Sequence, residues 1–354
     1  MWIDPISTST RPHGDAYRLS TAGRISWPAA HGVRRGGPPS RARGASRERA
    51  RQAADSGCAI VTSPRSAWRQ VSKLRGVPQG ITELIDRTVQ YIALMKIESQ
   101  LPIDVLIPAA EKDADVLPFA IAGIRRNIRH PISRIFVVSP QSGRLRAICH
   151  SSGCEYVLET DLDPTDPASI SLRVGGVDRS RWIYQQFLKL NGDQIATQAH
   201  YLVVDADTVM IRPQVFERDG RVVFNYSDEY YLPYFEMYQR LLGESAVSPV
   251  SFTSHQMLFS VGVLRELKAA IEGIHNAPWR DAILQNLDRE EMSSHSDYDT
   301  YGQYAFRHHP QQMAIEYWYN LNLSRRKLRA VPLLELQYGG KYKSASFHSY
   351  RSES

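Results

Sequence analysis

The chain has 354 residues, 42% of them hydrophobic, enough for a sizeable core and, by length, one to three domains. Its net charge of +6 is unevenly spread: residues 1–94 carry 15 Lys and Arg against 6 Asp and Glu, residues 95–354 carry 28 against 31. The basic balance belongs to the N-terminal segment, which argues against nucleic acid as a partner of the remainder.

Residues 1–75 are rich in Arg, Gly, Ala, Ser and Pro without helical or strand periodicity. Such a segment buries too little apolar surface to offset its ordering entropy, so the expectation is a disordered basic extension. Residues 76–100 read as a linker with a short amphipathic helix over Ile81–Leu94, and Met95 opens the part with folded character. A folded domain is expected over 101–350. Ile103–Pro108 is a buried-strand pattern, followed by a helix over Val116–Ile128 and strands at Ile135–Val138 and Glu155–Leu158. Asp161–Ser171 reads as a loop and Arg181–Leu190 as a helix. The next strand, Tyr201–Val204, ends directly on Asp205. A strand at Arg221–Asn225, a helix near Tyr234–Leu242, a strand at Gln256–Ser260 and helices at Val263–Ile274 and Trp279–Leu287 follow. From Tyr317 the chain reads as irregular and aromatic. Alternating strands and helices predict an α/β fold with a doubly wound, mostly parallel sheet flanked by helices.

Of three cysteines, Cys149 and Cys154 are too isolated for a zinc site, which usually takes four Cys or His ligands, and the odd, sparse count fits a reducing compartment. No apolar run reaches the roughly eighteen residues of a membrane helix, and the first twenty residues lack a signal-peptide core. The expectation is a soluble, cytoplasmic protein with no transmembrane segment.

In an open α/β sheet, ligands bind outside the carboxyl ends of the strands. Three features converge there. Asp205-Ala206-Asp207 follows four apolar residues, and alternation puts both carboxylates on one side, where they can hold a hard divalent cation, manganese or magnesium. The loop after the first strand, Pro108–Asp115, would face a nucleotide through Pro108, Ala109 and Asp113, with Asp115 as a helix N-cap. Gln185, Gln186 and Lys189 form a polar patch on an otherwise apolar helix; they could reach a diphosphate or sugar, or be a solvated face.

The strings IDVLIPAA from Ile103, WIYQQFLKL from Trp182, VVDADTVMIRP from Val203, FNYSDEY from Phe224 and YDTYG from Tyr298 resemble a bacterial family of uncharacterised proteins, domain-of-unknown-function family 6492, over roughly residues 101–350. That family is similar to GT-A glycosyltransferases, and the D-A-D strand end resembles glycosyltransferase family 8. The resemblance implies a GT-A-like fold and a nucleotide-sugar donor. It also implies a C-terminal histidine completing the metal site, which here would be His348.

On the acceptor side, His255 precedes a strand and could bind an acceptor hydroxyl or a phosphate, or make a structural hydrogen bond; Asn225, Asp228 and Glu229 end another strand and could bind sugar hydroxyls or simply make a turn. The segment from Ser296 offers Asp297 and Asp299 between aromatic Tyr298 and Tyr301, which suit sugar stacking. Asp299, with Asp297 as rival, is the expected carboxylate for removing an acceptor proton, against a capping role at a helix starting at Thr300. The reading is sugar transfer from a nucleotide donor to a glycan or other hydroxyl acceptor. A nucleotidyltransferase would carry a Gly-rich loop after the first strand, and Pro108–Asp113 has no glycine. A binding module without catalysis is the third reading.

Overall fold

A computed structural model describes residues 98–348, all within one unit of the chain. The expectations for residues 1–75 and for a helix at Ile81–Leu94 lie outside the described residues. Five strands form the main sheet: β1 (Ile103–Pro108), β2 (Ile132–Ser139), β3 (Glu155–Leu158), β4 (His200–Val204) and β5 (Gln256–Ser260), in the order β5-β4-β1-β2-β3. β1 pairs in parallel with β2 and β4, β2 in parallel with β3, and the edge strand β5 is antiparallel to β4. The mostly parallel, helix-flanked α/β architecture expected from the sequence is therefore the one observed.

All six residues of β1 are buried, as a strand covered on both faces requires. Ile103, Val105 and Ile107 join one apolar layer with helices α1 (Leu117–Asn127) and α2 (Gly143–Ser152). Leu106 joins the opposite layer, with helices α3 (Ser180–Leu190), α4 (Leu232–Leu242), α5 (Val261–His275), α6 (Trp279–Asn286) and α7 (Asp297–His308). Each fully buried Leu, Ile, Val or Phe in these layers contributes about 1.5–3 kcal/mol. The one polar residue within β1, Asp104, is fully buried, and its carboxylate accepts hydrogen bonds from the Thr197 amide and hydroxyl and from the Gln198 amide.

The chain departs from the sequence reading in four places. Helix α1 is capped at Val116 without a side-chain cap bond; Asp115 instead pairs with Arg144 on the surface. The expected loop Asp161–Ser171 holds the turn Pro167–Ile170, whose N-terminus Asp166 caps by accepting from the Ala168 amide at 2.9 Å. Helix α7 starts at Asp297 rather than Thr300, because the Ser296 hydroxyl accepts from the Asp299 amide and takes the capping role. The region from Tyr317 is not irregular: Met313–Tyr317 pairs in parallel with Arg221–Tyr226, and Asn320–Asn322 pairs in parallel with Ser344–Ser346. Ser344–Ser346 also runs antiparallel to Thr208–Met210, just beyond the D-A-D triplet. Among the described residues no helix is long and apolar enough to cross a membrane.

Candidate active site

Strand order reverses direction at β1: β2 and β3 lie on one side of it, β4 and β5 on the other. A crevice opens at the carboxyl ends of strands at such a switch point. Here it is a cavity of about 180 Å³ whose wall includes Pro108 and Ala109 from β1 and its loop, and Asp205, Ala206 and Asp207 after β4.

The triplet lies in a turn, with the Thr208 amide donating to the Asp205 carbonyl at 3.0 Å, rather than in an extended strand. The turn, not strand alternation, brings both carboxylates to the cavity. Asp205 Oδ1 lies 2.8 Å from Lys189 Nζ and accepts from the Tyr298 hydroxyl at 3.3 Å; its Oδ2 lies 3.4 Å from His255 Nδ1. Burial opposes charge on Asp205, but Lys189 and His255 outweigh it and hold the carboxyl well below the usual range. Asp207 Oδ2 lies 2.9 Å from His348 Nδ1, and that contact likewise overrides burial and keeps Asp207 ionised.

Lys189 is 5% exposed, so it is no solvated face; α3 turns it inward to Asp205, with its Nζ 4.2 Å from the Tyr298 ring centre and 4.0 Å from Asp297 Oδ2. Gln186 is buried beside it and accepts from the Asp297 amide at 2.9 Å; Gln185 is half-buried and also lines the cavity. Asp113 also lines the cavity, held 2.9 Å from Arg325, while burial raises its pKa.

His255 has a positive φ of 61°, an uncommon conformation for a residue other than glycine. Its ring bridges Asp205 and Glu229, with Nε2 3.1 Å from Glu229 Oε1. Burial works against charge on this imidazole, yet Glu229 and Asp205 raise its pKa well above the ordinary value.

Asp297 and Tyr298 line the cavity. Burial pushes the Asp297 carboxyl up to about 6 despite the nearby Lys189. Asp299 does not line it: its Oδ1 accepts from the Phe252 amide, and its Oδ2 from the Ser251 and Thr253 hydroxyls, each at 2.8 Å. It holds the 251–253 segment in place. Tyr301 is 1% exposed, stacks between Phe224 and Phe259, and accepts from the Ser260 amide, so it offers no sugar platform. Asn225 is likewise internal, accepting from Gln256 at 2.8 Å. Asp228 is exposed and lines a second cavity.

The cavity also includes Lys112, Arg179, Arg181, Trp182 and Tyr234, which were not singled out from the sequence. Arg179 and Arg181 sit at the entry to α3. Arg181 forms a two-pronged pair with Glu159 at 2.8 and 3.1 Å, and Arg179 stacks over Trp182 at 4.3 Å. The cationic run at the start of a helix leading to the site was the available signal.

Among the described residues, no three His, Cys, Asp or Glu side chains form a ready-made metal cage. The donor set nevertheless suits a hard divalent cation: two ionised carboxylates, Asp205 and Asp207, with the imidazole of His348 touching the second.

Residues 170–331 match the model of a family of unknown function (DUF6492), a span that holds Asp205, Asp207, Glu229, His255 and Asp297 but neither β1 nor His348. A search of curated proteins finds no match. Among solved structures, the chain is similar to the galactosyltransferase LgtC in complex with donor and acceptor sugar analogs, at 13% identity and a TM-score of 0.37, covering 69% of this chain and 87% of that one. It is also similar to glucosyl-3-phosphoglycerate synthase from Mycobacterium tuberculosis in complex with Mn2+, uridine diphosphate and glucosyl-3-phosphoglycerate, at 12% identity and a TM-score of 0.34, covering 65% and 73%.

Proposed function

We propose that the chain is a metal-assisted glycosyltransferase that moves a sugar from a nucleotide-sugar donor to a hydroxyl of a glycan acceptor. The observation that carries this reading is the meeting of Asp205, Asp207 and His348 on a cavity at the switch point of a mostly parallel sheet. Asp205, Asp207 and His348 would hold manganese or magnesium; when bound, the ion neutralises charge on the departing diphosphate. In this reading Pro108, Ala109 and Asp113 would contact the nucleoside, and Gln185, Gln186 and Lys189, which line the same cavity, would contact the diphosphate. In the transfer, the bond from the sugar's anomeric carbon to phosphate oxygen breaks and one to the acceptor oxygen forms. The acceptor's proton leaves to a carboxylate, for which Asp297 on the cavity wall is the better-placed of the two acidic residues of α7.

The test is calorimetric. The protein should bind one of a panel of nucleoside diphosphates in the presence of Mn2+, and Asp207→Ala should abolish that binding while the melting temperature stays close to that of the parent. Equal binding with and without Mn2+, or in the variant, would exclude the site.

A further inference from the structure

A second cavity adjoins the first and shares two lining residues with it. Glu229 and His255 line both cavities. One nitrogen of His255 faces Asp205 in the first, and the other lies 3.1 Å from Glu229. Whatever occupies the second cavity therefore sits one imidazole away from the D-A-D carboxylates.

The second cavity is built differently from the first. Two of its lining rings are in contact, Tyr317 with Tyr319 at 4.5 Å, and Tyr226 behind them meets Tyr317 edge-on at 5.2 Å. Trp318 between them is buried and bonded to Ser344 through its indole N–H, so the two tyrosines stand on a fixed base. Tyr319 is 43% exposed at the edge of a polar cavity, with Tyr317 against one part of its ring and the rest open. Around it stand the carboxylates of Asp228 and Glu229 and the amide of Asn322. Lys341, also in the lining, has its Nζ over the Tyr319 and Tyr342 rings, at 5.7 and 5.1 Å from their centres. An exposed ring beside hydrogen-bonding groups is the chemistry that recognises a sugar, with its apolar face on the ring and its hydroxyls on carboxylate and amide oxygens. Two carboxylates, Asp228 and Glu229, are matched by two cations, Lys341 and the His255 imidazole paired with Glu229, so the lining carries no net charge and suits an uncharged ligand.

We propose that this second cavity is the acceptor subsite, and that it takes a neutral hexose or N-acetylhexosamine residue stacked on Tyr319, with its hydroxyls held by Asp228 and Asn322. This rests on the glycosyltransferase reading for its role but not for its binding chemistry. Tyr317, Tyr319, Asn322 and Lys341 join Asp228, Glu229 and His255 as determinants of acceptor class.

The experiment is saturation-transfer NMR on the full chain with methyl glycosides of neutral hexoses, N-acetylhexosamines and hexuronic acids, paired with Mn2+-dependent nucleoside diphosphate calorimetry. At least one neutral methyl glycoside should bind, and no hexuronate should. Tyr319→Ala should weaken that binding about tenfold, Tyr319→Phe should restore it, and neither should alter nucleoside diphosphate affinity or melting temperature, since the ring is exposed. Binding that is unchanged in Tyr319→Ala, a preference for hexuronates, or the absence of glycoside binding to the parent protein would each overturn the proposal. Glycoside binding that depends on Tyr319 in a protein that binds no nucleoside diphosphate would instead uphold the subsite and remove the donor reading.

Discussion

The imidazole of His348 lies 2.9 Å from the carboxylate of Asp207, although 141 positions separate them in the chain. The contact follows from backbone pairing. Ser346 pairs with Thr208, and the Phe347 amide donates to the Asp207 carbonyl at 2.8 Å, so the next residue is delivered to the triplet. His348→Ala should leave the strand pairing intact. It should weaken Mn2+-dependent binding of a nucleoside diphosphate by roughly ten- to hundred-fold, the range for groups that orient or complete a metal site. Titration calorimetry reads this directly; an affinity within twofold of the parent would detach His348 from the site.

Asp297 and Asp299 should separate in a pair of variants. Asp299→Ala leaves the buried Ser251 hydroxyl and Phe252 amide, and the part-buried Thr253 hydroxyl, without their acceptor, and should lower stability by about 1–3 kcal/mol. Asp297→Asn should leave the melting temperature and nucleotide affinity nearly unchanged while turnover drops about a hundred- to ten-thousand-fold, the contribution of a positioned general base. Denaturation curves and steady-state rates on the same preparations distinguish the two. A fully active Asp297→Asn would move the proton acceptor elsewhere.

His295 predicts an acid-sensitive fold. It is fully buried, its Nε2 has no hydrogen-bond partner among the described residues, and burial pulls its pKa from 6.5 down to about 3. Below pH 6.5 the unfolded chain takes up a proton here that the folded chain refuses. This group's contribution to stability is therefore complete above pH 6.5 and falls with pH, by about 1.4 kcal/mol per unit, until the folded-state pKa is reached. In urea denaturation, the stability of His295→Gln relative to the parent should improve by about 2 kcal/mol between pH 7 and pH 5. A constant difference across that range would show that His295 titrates alike in the folded and unfolded chains.

Two glycines are fixed by packing rather than by backbone conformation. A Cβ at Gly302 would lie 2.5 Å from the Phe252 ring, and one at Gly192 would lie 2.3 Å from the Tyr201 ring. Overpacking of this kind costs about 1–3 kcal/mol. Gly302→Ala should also loosen the segment that Asp299 holds, so its loss of stability should be less than additive with Asp299→Ala. A double-mutant cycle by chemical denaturation checks this; full additivity would mean that Phe252 moves independently of the Asp299 contacts.

The sequence by itself determined the elements whose signal is local. The apolar run at Ile103–Pro108 and the four apolar residues before Asp205 are buried strands, because a strand covered on both faces must be continuously apolar. A carboxylate pair at the end of such a strand was legible for the same reason. What depended on tertiary structure was which distant groups meet it. Glu229, His255, Lys189 and His348 come from separate elements, and their convergence follows from strand order and from the pairing of the C-terminal strand with Thr208–Met210. The choice between Asp297 and Asp299 was also tertiary. Read as a loop, both carboxylates could serve; on a helix, two positions apart means about 200° of rotation, so one turns to the cavity and the other into the Ser251–Thr253 backbone. Local periodicity specifies which face is apolar. Only the packing of that face specifies where its polar neighbours point.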